Sequence, residues 1–180
     1  MHLLITGSVG TGKTSLSNIL GAKLNIEVIH ISDLIIDQKL YKQYDELFDS
    51  YIPDEDRIIQ YFKEKIISKH KDFIIDHHSF DIFSNKFLDL TIVLHSDLKV
   101  LKQRLSLRQY SEKKIDENLQ CEIMDVVADE AYRRFKNILE LTNDTNEDQA
   151  KNIDIIIMAL NKLKSAQKEG YEEEWETDEE

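Results

Sequence analysis

The string Gly7-Ser8-Val9-Gly10-Thr11-Gly12-Lys13-Thr14 constrains this chain more than any other feature. It fits the spacing G-x-x-x-x-G-K-[ST], and Ser15 follows it. Leu3-Leu4-Ile5-Thr6 before it is a short apolar run, suited to a buried strand. After it Leu16, Ile19, Leu20 and Leu24 recur at helical spacing. Strand, glycine-rich loop and helix is the context this spacing needs. Glycines let the backbone turn back and aim several N–H groups into one concavity. The following helix adds the positive end of its dipole. Such a nest takes phosphate: Lys13 can reach β- and γ-phosphates and the Thr14 hydroxyl can ligate Mg²⁺. An ordinary glycine-rich turn before a surface lysine would not require that flanking pattern.

The rest of the chain alternates strands with helices. Glu27–Ile31 reads as a second strand, after which Ser32-Asp33 can cap a helix. Residues 34–52 are rich in Tyr and Asp and show a mixed pattern. Pro53 with Asp54, Glu55 and Asp56 starts a helix. Phe73–Asp76 and Leu90–Leu94 read as strands, and Asp97–Leu107 as a helix with Leu98, Leu101 and Leu105 inward. The polar segment 109–118 precedes a helical stretch of about 119–136. Ile138–Thr142 can be a fifth strand, and 147–166 a final amphipathic helix. The fold class expected is α/β, a parallel sheet with helices on both faces. Ligands then bind at the carboxyl ends of the strands. That gathers the Gly7 loop, Asp33, Asp76 and the segment after Leu94 around one crevice.

Asp76 ends an apolar strand, where a carboxylate can hold Mg²⁺ opposite Thr14. A strand-end Asp can equally cap the next turn. His78 shares the Asp76 side of the chain more than His77 does. It can donate to a phosphate or orient water, and a histidine satisfied by polar neighbours is the plain alternative. Arg104 and Arg108 lie i, i+4 near a helix end. Arg108 is the better candidate for charge on a moving phosphate. Lys113 and Lys114 follow in a segment that suits a lid, or simply solubility. Asp33, Tyr41, Tyr44 and Asp45 can line a second-substrate pocket, or pack an insert.

The formal net charge is −12, and the last nine residues, Glu172–Glu180, hold seven acidic groups with no Lys or Arg. That argues against non-specific binding to nucleic acid or anionic membrane and suits a basic protein partner. Cys121 is the only cysteine, so an internal disulfide and a cysteine-based zinc site are excluded. With no apolar run approaching a membrane span, a soluble intracellular protein is expected.

The phosphate loop, Leu40–Arg57 (LYKQYDELFDSYIPDEDR), Ile74–His78 (IIDHH), Arg104–Lys114 (RLSLRQYSEKK) and Asn118–Ile123 (NLQCEI) together resemble the adenylate kinase isoenzyme 6 family. The resemblance covers residues 1–165. It implies a P-loop nucleoside monophosphate kinase fold with a five-stranded parallel sheet, an NMP-binding insert at about 30–53 and a short lid at about 107–117. A single domain would span 1–166, leaving 167–180 as a disordered acidic tail. Gly10, Gly12, Lys13, Thr14 and Ser15 would bind ATP, with Arg108 reaching it from the lid. Thr14 and Asp76 would hold Mg²⁺, Asp76 and His78 forming the family's D-x-H element. Asp33, Tyr41 and Gln120 would serve the acceptor. The family transfers phosphate from ATP to AMP or dAMP, with CMP open, and hydrolyses ATP. It also acts in late small ribosomal subunit maturation with a small-subunit ribosomal protein, in nucleus and cytoplasm.

Ordinary adenylate kinases place an arginine in the insert and another after the third strand. Here the insert offers Lys39 and Lys42, His77-His78 replace the second, and Gln120 and Glu122 stand after the lid. Fewer arginines imply weaker phosphate capture and slower transfer. An ATP-driven assembly factor with incidental kinase chemistry is therefore the rival reading. A small-molecule kinase using Asp33 as base is a third.

Overall fold

Continuous apolar runs, buried on both faces of the sheet, fix the architecture. In the computed structural model, which describes residues 1–46, 50–69, 72–78 and 87–176, β1 is His2–Gly7. Leu3 and Ile5 point to one face and Leu4 to the other, all fully buried. The first face packs on α1 (Lys13–Leu24) and α7 (Asn146–Glu176) through Leu16, Leu20, Ile153, Ile156 and Leu160. The second packs on α2 (Ile31–Asp37), α3 (Glu55–Tyr61) and α6 (Val126–Arg134) through Ile31, Ile35, Ile58, Ala128 and Ala131.

The remaining sheet strands are β2 (Glu27–His30), β5 (Phe73–Asp76), β6 (Leu90–His95) and β7 (Ile138–Thr142). Their order is β2-β5-β1-β6-β7, and every pairing is parallel, as the sequence pattern predicts. β1 is central, so the phosphate loop leaves the sheet between the ends of β5 and β6. The chain crosses from one side of β1 to the other at this position, and the crevice there is where open α/β sheets take ligands.

Several expectations need correction. The 31–53 region holds α2 and an antiparallel hairpin, β3 (Tyr41–Asp45) with β4 (Ser50–Pro53); residues 47–49 lie outside the described residues. α2 starts at Ile31 with His30 at its N-cap, so Asp33 sits in the first turn and not at the cap. Pro53 closes β4, and Asp54 caps α3 by accepting from the Arg57 amide. The stretch 119–136 is split, because α5 (Glu112–Ile123) and α6 are separated by Asp125 at φ 53. Aspartate tolerates this left-handed conformation better than most residues.

α4 (Leu98–Leu107) is capped by Asp97 and buries Leu101 and Leu105, but Leu98 is exposed rather than inward. Segment 112–117 is the first half of α5, capped by the Ser111 hydroxyl. α7 stays helical through Glu176, beyond the boundary at 166 set from the sequence. No proline interrupts it, and Gln, Lys and Glu favour helix; residues 177–180 lie outside the described residues.

Candidate active site

The loop between β1 and α1 builds the floor of the site. Gly12, at φ 96, is the N-cap of α1 and presents the open end of that helix. A Cβ on Gly7 would stand 2.3 Å from the Leu94 carbonyl of β6, so only glycine lets the loop leave the sheet so closely. Behind the loop, buried Asn143 donates from Nδ2 to the Thr11 carbonyl at 2.8 Å.

Lys13 Nζ donates to the carbonyls of Gly7 and Ser8, both at 2.9 Å. Burial pushes its pKa down to about 8; Asp76 opposes this and Arg108 adds to it. An ammonium held with so little water is primed for an anion. The Thr14 hydroxyl donates to Asp76 Oδ2 at 2.6 Å, so the two residues expected to share a metal are in contact. Both are hard oxygen donors, and their pairing at the phosphate nest fits Mg²⁺.

His30, at the end of β2, is a site residue the sequence reading missed. Its Nδ1 lies 2.8 Å from the same Asp76 oxygen and its Nε2 3.0 Å from the Asn18 amide. The carboxylate can only accept, so Nδ1 carries the proton. The register His30↔Asp76 explains the meeting: adjacent parallel strands end at the same level. Two apolar runs that both end in a polar residue were the available signal.

His77 is buried, and burial, with His78 and Lys13 nearby, pushes its pKa down to about 3. His78 keeps an exposed edge in the cleft. Partial desolvation, with Lys13 beside it, lowers its pKa, while Asp76 pulls the other way. Both imidazoles are therefore neutral at ordinary pH.

Two clefts flank the loop. One, of about 640 Å³, is lined by Lys13, Thr14, Asn18, His30, Asp33, Asp76, His78, Arg108 and Tyr110. The other, of about 400 Å³, is lined by Arg104, Asn143, Thr145, Asn146 and Gln149. Gly10, Gly12, Ser15 and Arg108 line both. The structure thus brings together Gly10, Gly12, Lys13, Thr14, Ser15, Asp33, Asp76, His78 and Arg108.

Tyr41 and Gln120 are not among them. Tyr41 packs against the core and, at 4.4 Å between ring centroids, against Tyr51. Gln120 is exposed on α5, outside both linings. Arg104 is occupied in holding the backbone: it donates to Gly10 O at 3.2 Å, Ser96 Oγ at 3.0 Å and Asp144 O at 2.7 Å.

A parallel sheet with the phosphate loop on its central strand, an acid at the end of the neighbouring strand and clefts on both sides defines a P-loop kinase. Residues 3–125 match the family model described as AAA domain. A Dictyostelium discoideum protein named adenylate kinase isoenzyme 6 homolog is 38% identical over 86% of this chain and 89% of its own length. A Methanocaldococcus jannaschii putative adenylate kinase is 36% identical, over 89% and 86%. The chain belongs to the adenylate kinase isoenzyme 6 family. Its fold is also that of shikimate kinase from Bacteroides thetaiotaomicron, with a TM-score of 0.60 at 18% identity over 89% of this chain and 98% of that one.

Proposed function

We propose that this nucleotide kinase transfers the γ-phosphoryl group of ATP to AMP, giving two ADP. The single observation that carries the reading is the pair of clefts sharing Gly10, Gly12, Ser15 and Arg108 across one phosphate loop. One cleft can hold the donor nucleoside and the other the acceptor, their phosphates meeting over Lys13. Relatives named adenylate kinase support the choice of AMP.

On binding, Lys13 exchanges the Gly7 and Ser8 carbonyls for phosphate oxygens, and their charge restores its pKa. Mg²⁺ held by Thr14 and Asp76 would neutralise the β- and γ-oxygens. His30 orients the Asp76 carboxylate. Arg108, between the clefts, faces the group in flight. Neutral His78 can donate to the acceptor phosphate or orient a water. Segment 107–117 acts as the lid, and catalysis is positioning plus electrostatics.

ATP hydrolysis in late small-subunit maturation is the second activity we assign. It would act on a basic small-subunit ribosomal protein, in nucleus and cytoplasm. The cationic lining of the larger cleft is sparse, Lys13 and Arg108, which favours water as a competing acceptor. The net charge of −12 suits a basic partner.

Purified protein with Mg²⁺-ATP, with and without AMP, separates the two. Two ADP per AMP consumed is the expected result for transfer. Free phosphate independent of AMP marks hydrolysis; phosphate alone, with AMP untouched, rejects the kinase reading.

A further inference from the structure

Glu122 has no part in the scheme above, yet its side chain is only 8% exposed. It is the last residue of the string Gln120-Cys121-Glu122 on α5. Its Oε1 accepts from the Ser96 amide at 2.9 Å and lies 3.4 Å from His95 Nδ1. Burial alone would raise the Glu122 pKa; its net shift is downward, with His95 and the Ser96 amide among the groups that lower it.

His95 follows Leu94, the strand partner of Gly7, and so stands beside the root of the phosphate loop. Its ring faces Glu122 from α5, Asp125 from the turn at 3.6 Å and Glu140 from β7 at 3.0 Å. Tyr132 of α6 donates to Glu140. The hydrogen bond to Glu122 leads the causes that raise the His95 pKa. Ser96 adds a second tie, since its Oγ accepts from Arg104, which also holds the Gly10 carbonyl. A leucine would fill the same volume. A carboxylate can accept from the Ser96 amide and attract the His95 ring at once, which leucine cannot.

α5 begins four residues after Arg108 and runs as one helix to Ile123. We infer that Glu122, clasped by His95, is a positioning residue that ties α5, with Arg108 just ahead of it, through Ser96 and Arg104 to the Gly10 carbonyl of the phosphate loop. Arg108 and the loop amides then close on the same phosphates. This rests on the nucleotide-kinase reading for its ligand.

The test compares Glu122→Gln with Glu140→Gln, which strips the same imidazole of a carboxylate that does not face the loop. Calorimetry gives the affinity for a non-hydrolysable ATP analogue with Mg²⁺. NMR gives the His95 ring pKa with and without that analogue. Glu122→Gln is expected to weaken the analogue about tenfold and Glu140→Gln less than about twofold. The analogue should raise the His95 pKa in wild type, by linkage, and much less in Glu122→Gln. Equal weakening by both substitutions, or a His95 pKa that ignores the analogue, overturns the inference. Should Glu122→Gln not fold, the wild-type His95 response still decides. Analogue binding without AMP-dependent ADP would refute the acceptor alone; no binding by wild type would refute both.

Discussion

Substitution of Gly12 by alanine tests how the phosphate loop is held. The residue sits at φ 96, and a Cβ there would lie 2.3 Å from Asn143 Nδ2. The left-handed conformation costs an L residue roughly 1–2 kcal/mol. The clash must also displace an amide whose buried hydrogen bond to the Thr11 carbonyl is 2.8 Å long. Leaving that carbonyl unsatisfied costs about 1–3 kcal/mol more. The loss is thus roughly 2–5 kcal/mol from a total on the order of 5–15. Urea unfolding of Gly12→Ala, Asn143→Ala and the double variant measures it. Because Asn143→Ala already removes the clashing group, Gly12→Ala should cost only its strain in that background. A coupling of about 1–3 kcal/mol is expected. A single-variant loss below about 0.5 kcal/mol, or the same loss in both backgrounds, would refute this account of the loop.

Other consequences follow from particular contacts. Gly21→Ala should destabilise by about 1–3 kcal/mol despite better helix propensity, because its Cβ would lie 2.4 Å from Val28 Cγ2 and 3.0 Å from the Ile26 carbonyl; thermal unfolding would show the sign. Arg104→Lys keeps the charge but loses the fork that spans Gly10, Ser96 and Asp144. ATP affinity should fall about tenfold, measured by calorimetry. Lys13 has its pKa lowered from 10.5 to about 8. Its burden on stability is therefore present below pH 8 and relieved as pH rises from about 8 to 10.5. ATP affinity moves the opposite way, falling as Lys13 loses its proton above about pH 8, and calorimetry across pH 7–9 reads it. Asp76→Asn should remove most of the magnesium dependence of ATP binding, while affinity without the metal changes little; an unchanged metal response would exclude Asp76 as its ligand.

Much of this was legible because it is local. Strand, loop and helix around Gly7–Thr14 are adjacent in sequence, and Asp76 ends an apolar run visible by eye. What stayed hidden depends on register or rotation. His30 meets Asp76 only because β2 and β5 pair at the same level. Gln120 and Glu122 are two residues apart on a helix, roughly 200° around it, so the string that pointed to the site put Glu122 inward against the Ser96 amide and Gln120 in solvent. The turn between α5 and α6 has neither Gly nor Pro to announce it; Asp125 makes it alone. The hairpin Tyr41–Pro53 shows no period-two pattern, because most of its strand residues are exposed and no face has to be apolar. Arg108 was legible as the phosphate-facing arginine, but Arg104's own task was not: it appears only with the Gly10 and Asp144 carbonyls and the Ser96 hydroxyl folded around it.

The central claim is that two nucleotides occupy the two clefts at once, phosphates joined over Lys13. Calorimetric titration with two adenosines linked by five phosphates tests it directly. The account predicts one molecule bound per chain, more tightly than ATP or AMP alone, helped by Mg²⁺ and displacing both. Binding no tighter than ATP, with AMP still able to enter, would contradict it.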